Sequence, residues 1–276
     1  MKINHLSLPS NVHILGYSIN SEENLTFLEF HDNDSTSIVK NSNELKIYWK
    51  IGITLYDVNY AQKILKSKGI NISEPSQFED IGYVCHLIDP NGFNIELLQH
   101  DFEKTFKDKI NKQLPKDNFP LGYPCCIGQI TFHSNDINET EKFYCDLLGM
   151  KLLSIQEVPK YGFTLYFFAW TNENPPSSDI NDAIINREWL WKRPYTMIEI
   201  RYFNGTKQIP PFRDLQENEI GFQGIRIMCN HLDKFREKMK EENIHFKESN
   251  GIFGREIIIR DPDNIPIYVT STYSQI

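Results

Sequence analysis

The chain lacks any apolar run long enough to cross a bilayer. Its longest strongly apolar stretch is Leu165 to Trp170, against the ~20 residues a spanning helix needs. It also lacks a basic excess: 29 Lys and Arg face 37 Asp and Glu, for a net charge of -8 and a pI near 5.5. No broad cationic face is expected, which argues against nucleic acid and anionic membranes as partners. Cysteine is sparse and unpatterned. Cys85, Cys125, Cys126, Cys145 and Cys229 form an odd set without C-x-x-C spacing, so neither a disulfide framework nor a zinc knuckle is expected, and buried free thiols are. No charged-then-apolar leader opens the sequence. What is present is ordinary for a packed core: 276 residues, 40% hydrophobic, 13% aromatic and 24% charged, enough for two domains or four small modules.

Self-similarity is the strongest signal. Ile51-Gly-Ile-Thr-Leu-Tyr-Asp-Val58, Ala61-Gln-Lys-Ile-Leu-Lys-Ser-Lys-Gly69 and Asp89-Pro-Asn-Gly-Phe-Asn-Ile-Glu-Leu-Leu98 are answered in the second half. The counterparts are Ile225-Arg-Ile-Met-Cys229, Leu232-Asp-Lys-Phe-Arg-Glu-Lys-Met239 and Asp261-Pro-Asp-Asn-Ile-Pro-Ile-Tyr-Val-Thr270. The offsets are 174 at the strand and 172 at the Asp-Pro turn, and Glu29 and Glu199 stand 170 apart in Leu25-Thr-Phe-Leu-Glu-Phe30 and Thr196-Met-Ile-Glu-Ile200. One duplication accounts for all three.

A complete repeat reads as strand, amphipathic helix and three more strands. Ile51, Ile53 and Leu55 alternate as a half-buried strand should. Ala61, Ile64 and Leu65 form one helical stripe, with Gly69 at the stop. Residues 101–124, rich in Lys, Asp, Asn and Pro with a helical pattern over 102–114, form the linker between a first half (1–100) and a second (125–276).

Phe143-Tyr-Cys-Asp-Leu-Leu-Gly-Met-Lys-Leu-Leu153, followed by Tyr161-Gly-Phe-Thr-Leu-Tyr-Phe-Phe-Ala-Trp170, closely resembles the opening module of glyoxalase I, a family of the vicinal-oxygen-chelate superfamily. With the segments at 89–96 and 196–200, the resemblance covers nearly everything from about Val12 onward. Within that family it resembles the glyoxalase I-like proteins of apicomplexan plastids, and this resemblance implies a plastid address carried by an upstream extension. The implied fold is α+β, with tandem βαβββ modules of which the first is incomplete. Modules 2 and 3 would share one site, and modules 1 and 4 another.

Glyoxalase I isomerises the hemithioacetal of methylglyoxal and glutathione with a divalent metal held, in the eukaryotic type, by Gln, His and two Glu. A cation with oxygen and imidazole ligands and open positions acts as a Lewis acid while one Glu moves the proton. For the site between modules 2 and 3, the resemblance puts the Gln on Gln129 and the Glu ligands on Glu199 and Glu96, the latter doubling as the proton-transfer base. The His falls on Lys50. An ammonium has no lone pair to offer, and its ordinary pKa is about 10.4. Lys50 is therefore expected to set its charge between Glu96 and Glu199 in place of a metal, the alternative being that it extends to solvent. An isolated strand Glu serves surface roles as readily as ligation; the shared offset and the family match make these ligand positions.

For the site between modules 1 and 4, Glu29 remains, but the His falls on Gly224 and the last Glu on Tyr268. That site is expected to hold no metal. The positions with which the family recognises glutathione fall on His133, Phe203, Glu74 and Asp80, with Lys46 alone keeping basic character; acidic groups there would repel the tripeptide. His31 and His86 lack metal-ligand spacing and are expected in structural or surface roles. The leading expectation is a glyoxalase I-like protein with degenerate metal sites, without lactoylglutathione lyase activity, that binds a small molecule in the module 2/3 cleft. The alternatives are an active or weakly active lyase with a divalent metal such as Zn or Ni, and a partner protein that uses the fold as a surface.

Overall fold

The computed structural model describes residues 12–16, 26–31, 46–109, 121, 125–205, 208–216, 219 and 221–271. Module 2 runs β3 (Tyr48–Leu55), α1 (Val58–Ser67), β4 (Ser76–Phe78), β5 (Gly82–Ile88) and β6 (Asn94–Gln99), after a hairpin of β1 (Val12–Gly16) and β2 (Phe27–His31). The linker helix α2 spans Glu103–Lys109; residues 110–114 of the expected helical stretch lie outside the described residues. Module 3 is β7 (Cys125–Ser134), α3 (Ile137–Glu141) continued by a π-helical turn over Lys142–Leu147, β8 (Lys151–Val158), β9 (Phe163–Ala169), α4 (Ala183–Leu190) and β10 (Met197–Phe203). Module 4 is β11 (Ile225–Cys229), α5 (Leu232–Glu241), β12 (Lys247–Gly251), β13 (Gly254–Arg260) and β14 (Pro266–Ser271).

Each of these three modules has the expected βαβββ order, with the first strand returning beside the last. β3 runs parallel to β6, β7 to β10 and β11 to β14, pairings that require a crossover, which the helix provides. The helix starts as its sequence suggests: the Asp57 carboxylate caps α1 by accepting the Tyr60 N–H at 3.0 Å, and Gly69 leaves the helix with φ +78°.

Modules 2 and 3 join through the antiparallel pair β3–β7 into one eight-stranded sheet, β4-β5-β6-β3-β7-β10-β9-β8, while module 4 forms its own sheet, β11-β14-β13-β12. Packing follows strand alternation. Leu97 lies with Leu55, Val58 and Ala61 in the core under α1, whereas Leu98, its neighbour, belongs to the larger core shared with module 3. Glu96 shares the Leu98 face. Module 4 is tied to module 3 by the buried Tyr144 hydroxyl, which donates to Asp261 Oδ2 at 3.0 Å.

Candidate functional site

The β3–β7 seam brings Gln129, Glu199, Glu96 and Lys50 together on one face of the sheet. Strand register decides this: Gly52 pairs with both Glu96 and Gln129, and Thr131 pairs with both Lys50 and Glu199. Gly52 is required there, because a Cβ at this position would stand 2.4 Å from Gln129 Cγ. All four side chains are nearly hidden from solvent, with residue exposures of 6% for Lys50 and Glu96 and 2% for Gln129 and Glu199.

Lys50 does not extend to solvent. Its ammonium donates to Glu96 Oε1 at 2.6 Å, and Gln129 Nε2 donates to the same oxygen at 3.2 Å. Glu96 Oε2 meets His86 Nε2 at 2.9 Å, and Glu199 Oε2 accepts from Thr131 Oγ1 at 2.6 Å. Burial alone would lower the Lys50 pKa, but the Glu199 and Glu96 charges outweigh it and hold the pKa above its ordinary value. Burial pushes Glu96 up, yet Lys50 and His86 together bring it down to about 2. Glu199 has no such close cation; burial, assisted by the Glu96 charge, raises its pKa against the pull of Lys50.

Beside this polar strip lies an aromatic wall around Arg201, two residues beyond Glu199 on β10. The guanidinium sits 4.1 Å from the Phe163 ring centre, 4.3 Å from Trp49 and 4.4 Å from Phe203. His133 stacks between Trp49 and Phe203, at 5.7 Å from each, and its Nδ1 bonds the Lys46 carbonyl at 2.7 Å. Burial lowers the Arg201 pKa to about 10, although Glu199 opposes the shift. Trp49 and Lys50 both reach this face because β3 bulges: Tyr48 pairs with Phe132 but Lys50 with Thr131, so the two adjacent side chains do not alternate. The Lys50 ammonium consequently lies over the Trp49 ring at 4.5 Å.

The second candidate site is organised by a residue that the sequence reading left out. Arg226 donates Nε to Glu29 Oε2 at 3.0 Å and Nη1 to Glu256 Oε2 at 2.6 Å, and lies 5.1 Å from the Tyr268 ring centre. Burial alone would lower its pKa, but the bonds to Glu256 and Glu29 raise it. Gly224 leaves no room for an imidazole: its φ is +142°, and a Cβ there would stand 2.4 Å from the Pro266 carbonyl oxygen and 2.9 Å from the Tyr268 ring.

The remaining sequence-singled residues scatter. Glu74 is engaged by Lys66 and, at 3.2 Å, by Gln62 on α1. Asp80 pairs with Arg187 of α4 at 2.6 Å. Lys46 contributes its backbone carbonyl to His133. Two histidines set aside for lack of ligand spacing each touch a glutamate of a candidate site: His86 touches Glu96, and His31 Nε2 lies 2.5 Å from Glu29 Oε1. His31 could have been found as an i, i+2 neighbour on one strand face. His86 could not, because it is the cross-strand partner of Glu96 between β5 and β6. The repeat offset of 174 sets Arg226 on Gly52, a signal that was available.

Gln129, Glu96 and Glu199 offer the oxygen donors that a hard dication takes, yet the arrangement does not fit one. The Lys50 ammonium stands at hydrogen-bond distance from the carboxylate that would have to ligate, where it would repel the ion. Gln129 turns its Nε2 to Glu96 and so puts a second N–H donor on that carboxylate; its Oε1 is the one buried oxygen of the three side chains left without a partner. Among the described residues, no group of three or more His, Cys, Asp or Glu is arranged to hold a metal.

Residues 127–269 match the Glyoxalase/Bleomycin resistance protein/Dioxygenase superfamily. Glyoxalase I of Saccharomyces cerevisiae is 24% identical over 116 residues, which are 41% of this chain and 34% of the yeast protein. Lactoylglutathione lyase GLX1 of Arabidopsis thaliana is 28% identical over 123 residues, 44% of this chain and 36% of the plant protein. The matched stretch thus spans about a third of the length of each of these relatives. Among solved structures, glyoxalase I from Zea mays aligns over 94% of this chain and 78% of its own, with a TM-score of 0.60 and 19% identity, a likeness of fold.

Proposed function

Because this chain belongs to the Glyoxalase/Bleomycin resistance protein/Dioxygenase superfamily, we propose that it is a glyoxalase I-like protein whose module 2/3 cleft binds a small molecule and does not run metal-dependent lactoylglutathione lyase chemistry. One observation carries the reading: the buried ammonium of Lys50 lies 2.6 Å from Glu96 Oε1, at the position where the resemblance sets the family's imidazole ligand. It neutralises the carboxylate cluster as a cation would, but an ammonium has no vacant coordination positions and cannot polarise a substrate oxygen as a Lewis acid does. It also weakens the base. A general base works best with a pKa near the operating pH, and Glu96 is drawn to about 2. The same ion pair keeps the cleft assembled without metal, so ligand binding does not depend on it.

The test is metal stoichiometry. Purified protein incubated with Ni, Zn or Co and then desalted should hold far less than one ion per chain by elemental analysis, and should not turn over the methylglyoxal-glutathione hemithioacetal. Lys50→His should gain uptake at this site. One ion per chain in the unaltered protein, with turnover, would overturn the proposal.

A further inference from the structure

Resting on the reading that the module 2/3 cleft binds a small molecule, the chemistry of that molecule can be taken from what the cleft leaves unpaired. Arg201 pairs with His133 on one side and Leu165 on the other, and Leu165 pairs in turn with Gln156. Residues paired across strands share a face, so Arg201 and Gln156 lie in one row, next to the row of Thr131 and Glu199. Among the described residues, buried side-chain polar atoms without a hydrogen-bond partner occur on Gln129, Gln156, Arg187 and Arg201. All but Arg187 lie on this face. Gln156, 0% exposed, has neither Nε2 nor Oε1 satisfied, and Arg201 Nε is likewise unpaired. Buried polar atoms in folded proteins nearly always find partners, so three such groups on one wall call for an explanation.

The charges differ as well. The Lys50 ammonium is met by Glu96 at 2.6 Å, whereas no carboxylate among the described residues lies within salt-bridge distance of Arg201. Arg201 Nη1 lies 3.4 Å from His133 Nε2, a long contact. Phe163, Trp49 and Phe203 hold the guanidinium in place but provide no counter-ion. A guanidinium fixed by rings and lacking an anion is prepared for a planar, bidentate partner.

We propose that Arg201 and Gln156 form a subsite for a small monocarboxylate that also carries an amide or hydroxyl group. The carboxylate takes the guanidinium fork, and the second group exchanges hydrogen bonds with the Gln156 amide, which offers both a donor and an acceptor. The two residues stand two strands apart, roughly 10 Å between backbones, a span that two long side chains and a ligand of a few heavy atoms can close. The single charge follows from the surroundings: Arg201 has no carboxylate at salt-bridge distance and can take one, while Glu199, which acts on Arg201 from further off, and Glu96 disfavour a second negative charge.

The full chain, stripped with EDTA, is titrated calorimetrically with N-acetylglycine and glycolate, alongside acetate, acetamide, inorganic phosphate and glutathione. N-acetylglycine or glycolate should bind more tightly than any of the other four. Arg201→Met should weaken it by about tenfold or more, with Arg201→Lys intermediate because it keeps the charge without the fork, and Gln156→Leu by ~3- to 10-fold. Should Arg201→Met not fold, the Lys variant decides. The proposal is overturned if neither probe binds, if phosphate or glutathione binds more tightly, or if Gln156→Leu leaves the affinity unchanged. Since EDTA is present throughout, metal uptake by the unaltered protein would remove the reading above without altering these affinities. Their absence in a protein that still excludes metal would remove this inference alone.

Discussion

The two candidate sites meet the same electrostatic problem in different ways. Between modules 2 and 3, the cation is Lys50, at the position that the resemblance gives to the family's His; it is 6% exposed, with one close carboxylate and a second nearby. At the module 4 site, that position is Gly224, and the cation comes from two residues further along the strand, where Arg226 forks between Glu29 and Glu256. Arg226 occupies the repeat counterpart of Gly52, the position that Gln129 crowds in the first site. The common lesson is that a carboxylate cluster on a sheet face carries a cation against at least one member, while one left without a close cation, such as Glu199, is held by a hydroxyl and has its pKa raised. The difference is in solvent: the Lys50 and Glu96 side chains are each 8% exposed, Arg226 and Glu29 18% and 19%.

That contrast can be broken most directly by removing one carboxylate from each site. Glu96→Gln leaves a buried ammonium without its ion-pair partner and should cost ~3–5 kcal/mol in urea unfolding. Glu29→Gln leaves Arg226 still bonded to Glu256 and should cost about 1 kcal/mol or less. Equal costs would show that burial does not separate the sites. Acid titration sharpens the same point. Glu96 has a folded pKa of about 2 against an ordinary 4.5, so its stabilisation is complete above pH 4.5 and is lost as pH falls through 2. The slope of stability across that window should shrink in Glu96→Gln.

Smaller effects address the second site. Arg226→Met removes charge-assisted bonds to both Glu29 and Glu256 and should destabilise by about 2–3 kcal/mol in the same assay, softened because His31 and Ser249 still contact those glutamates. Gly224→Ala forces a Cβ into the Pro266 carbonyl at a positive φ and should cost ~1–3 kcal/mol. Gly69→Ala, also at positive φ but with nothing within 4 Å, should cost less. A Gly224→Ala variant as stable as the parent would mean that the Pro266 carbonyl and the Tyr268 ring give way to a Cβ there.

Much of this was legible in the sequence. The 170-residue offset paired Glu29 with Glu199, the family match picked out Glu96, and strand alternation set Leu97 on the face opposite Glu96; that Leu98 enters a second core shared with module 3 came from the sheet pairing. What escaped were contacts made across strands. His86 meets Glu96 because β5 and β6 are in that register, and no local pattern states a register. Trp49 escaped because a bulge suspends alternation at that point.

The sequence by itself determined the repeat and the βαβββ order, because each is a matter of local periodicity and copied spacing; its resemblance to glyoxalase I set Gln129, Lys50, Glu96 and Glu199 at the positions expected to ligate. Tertiary structure alone decided that Lys50 turns inward to Glu96, that Arg226 closes the second cluster, and that Arg201 and Gln156 share a face. Those outcomes depend on the register and burial of strands far apart in the chain, where charge and solvent exclusion act over a few ångströms of space and not along the backbone.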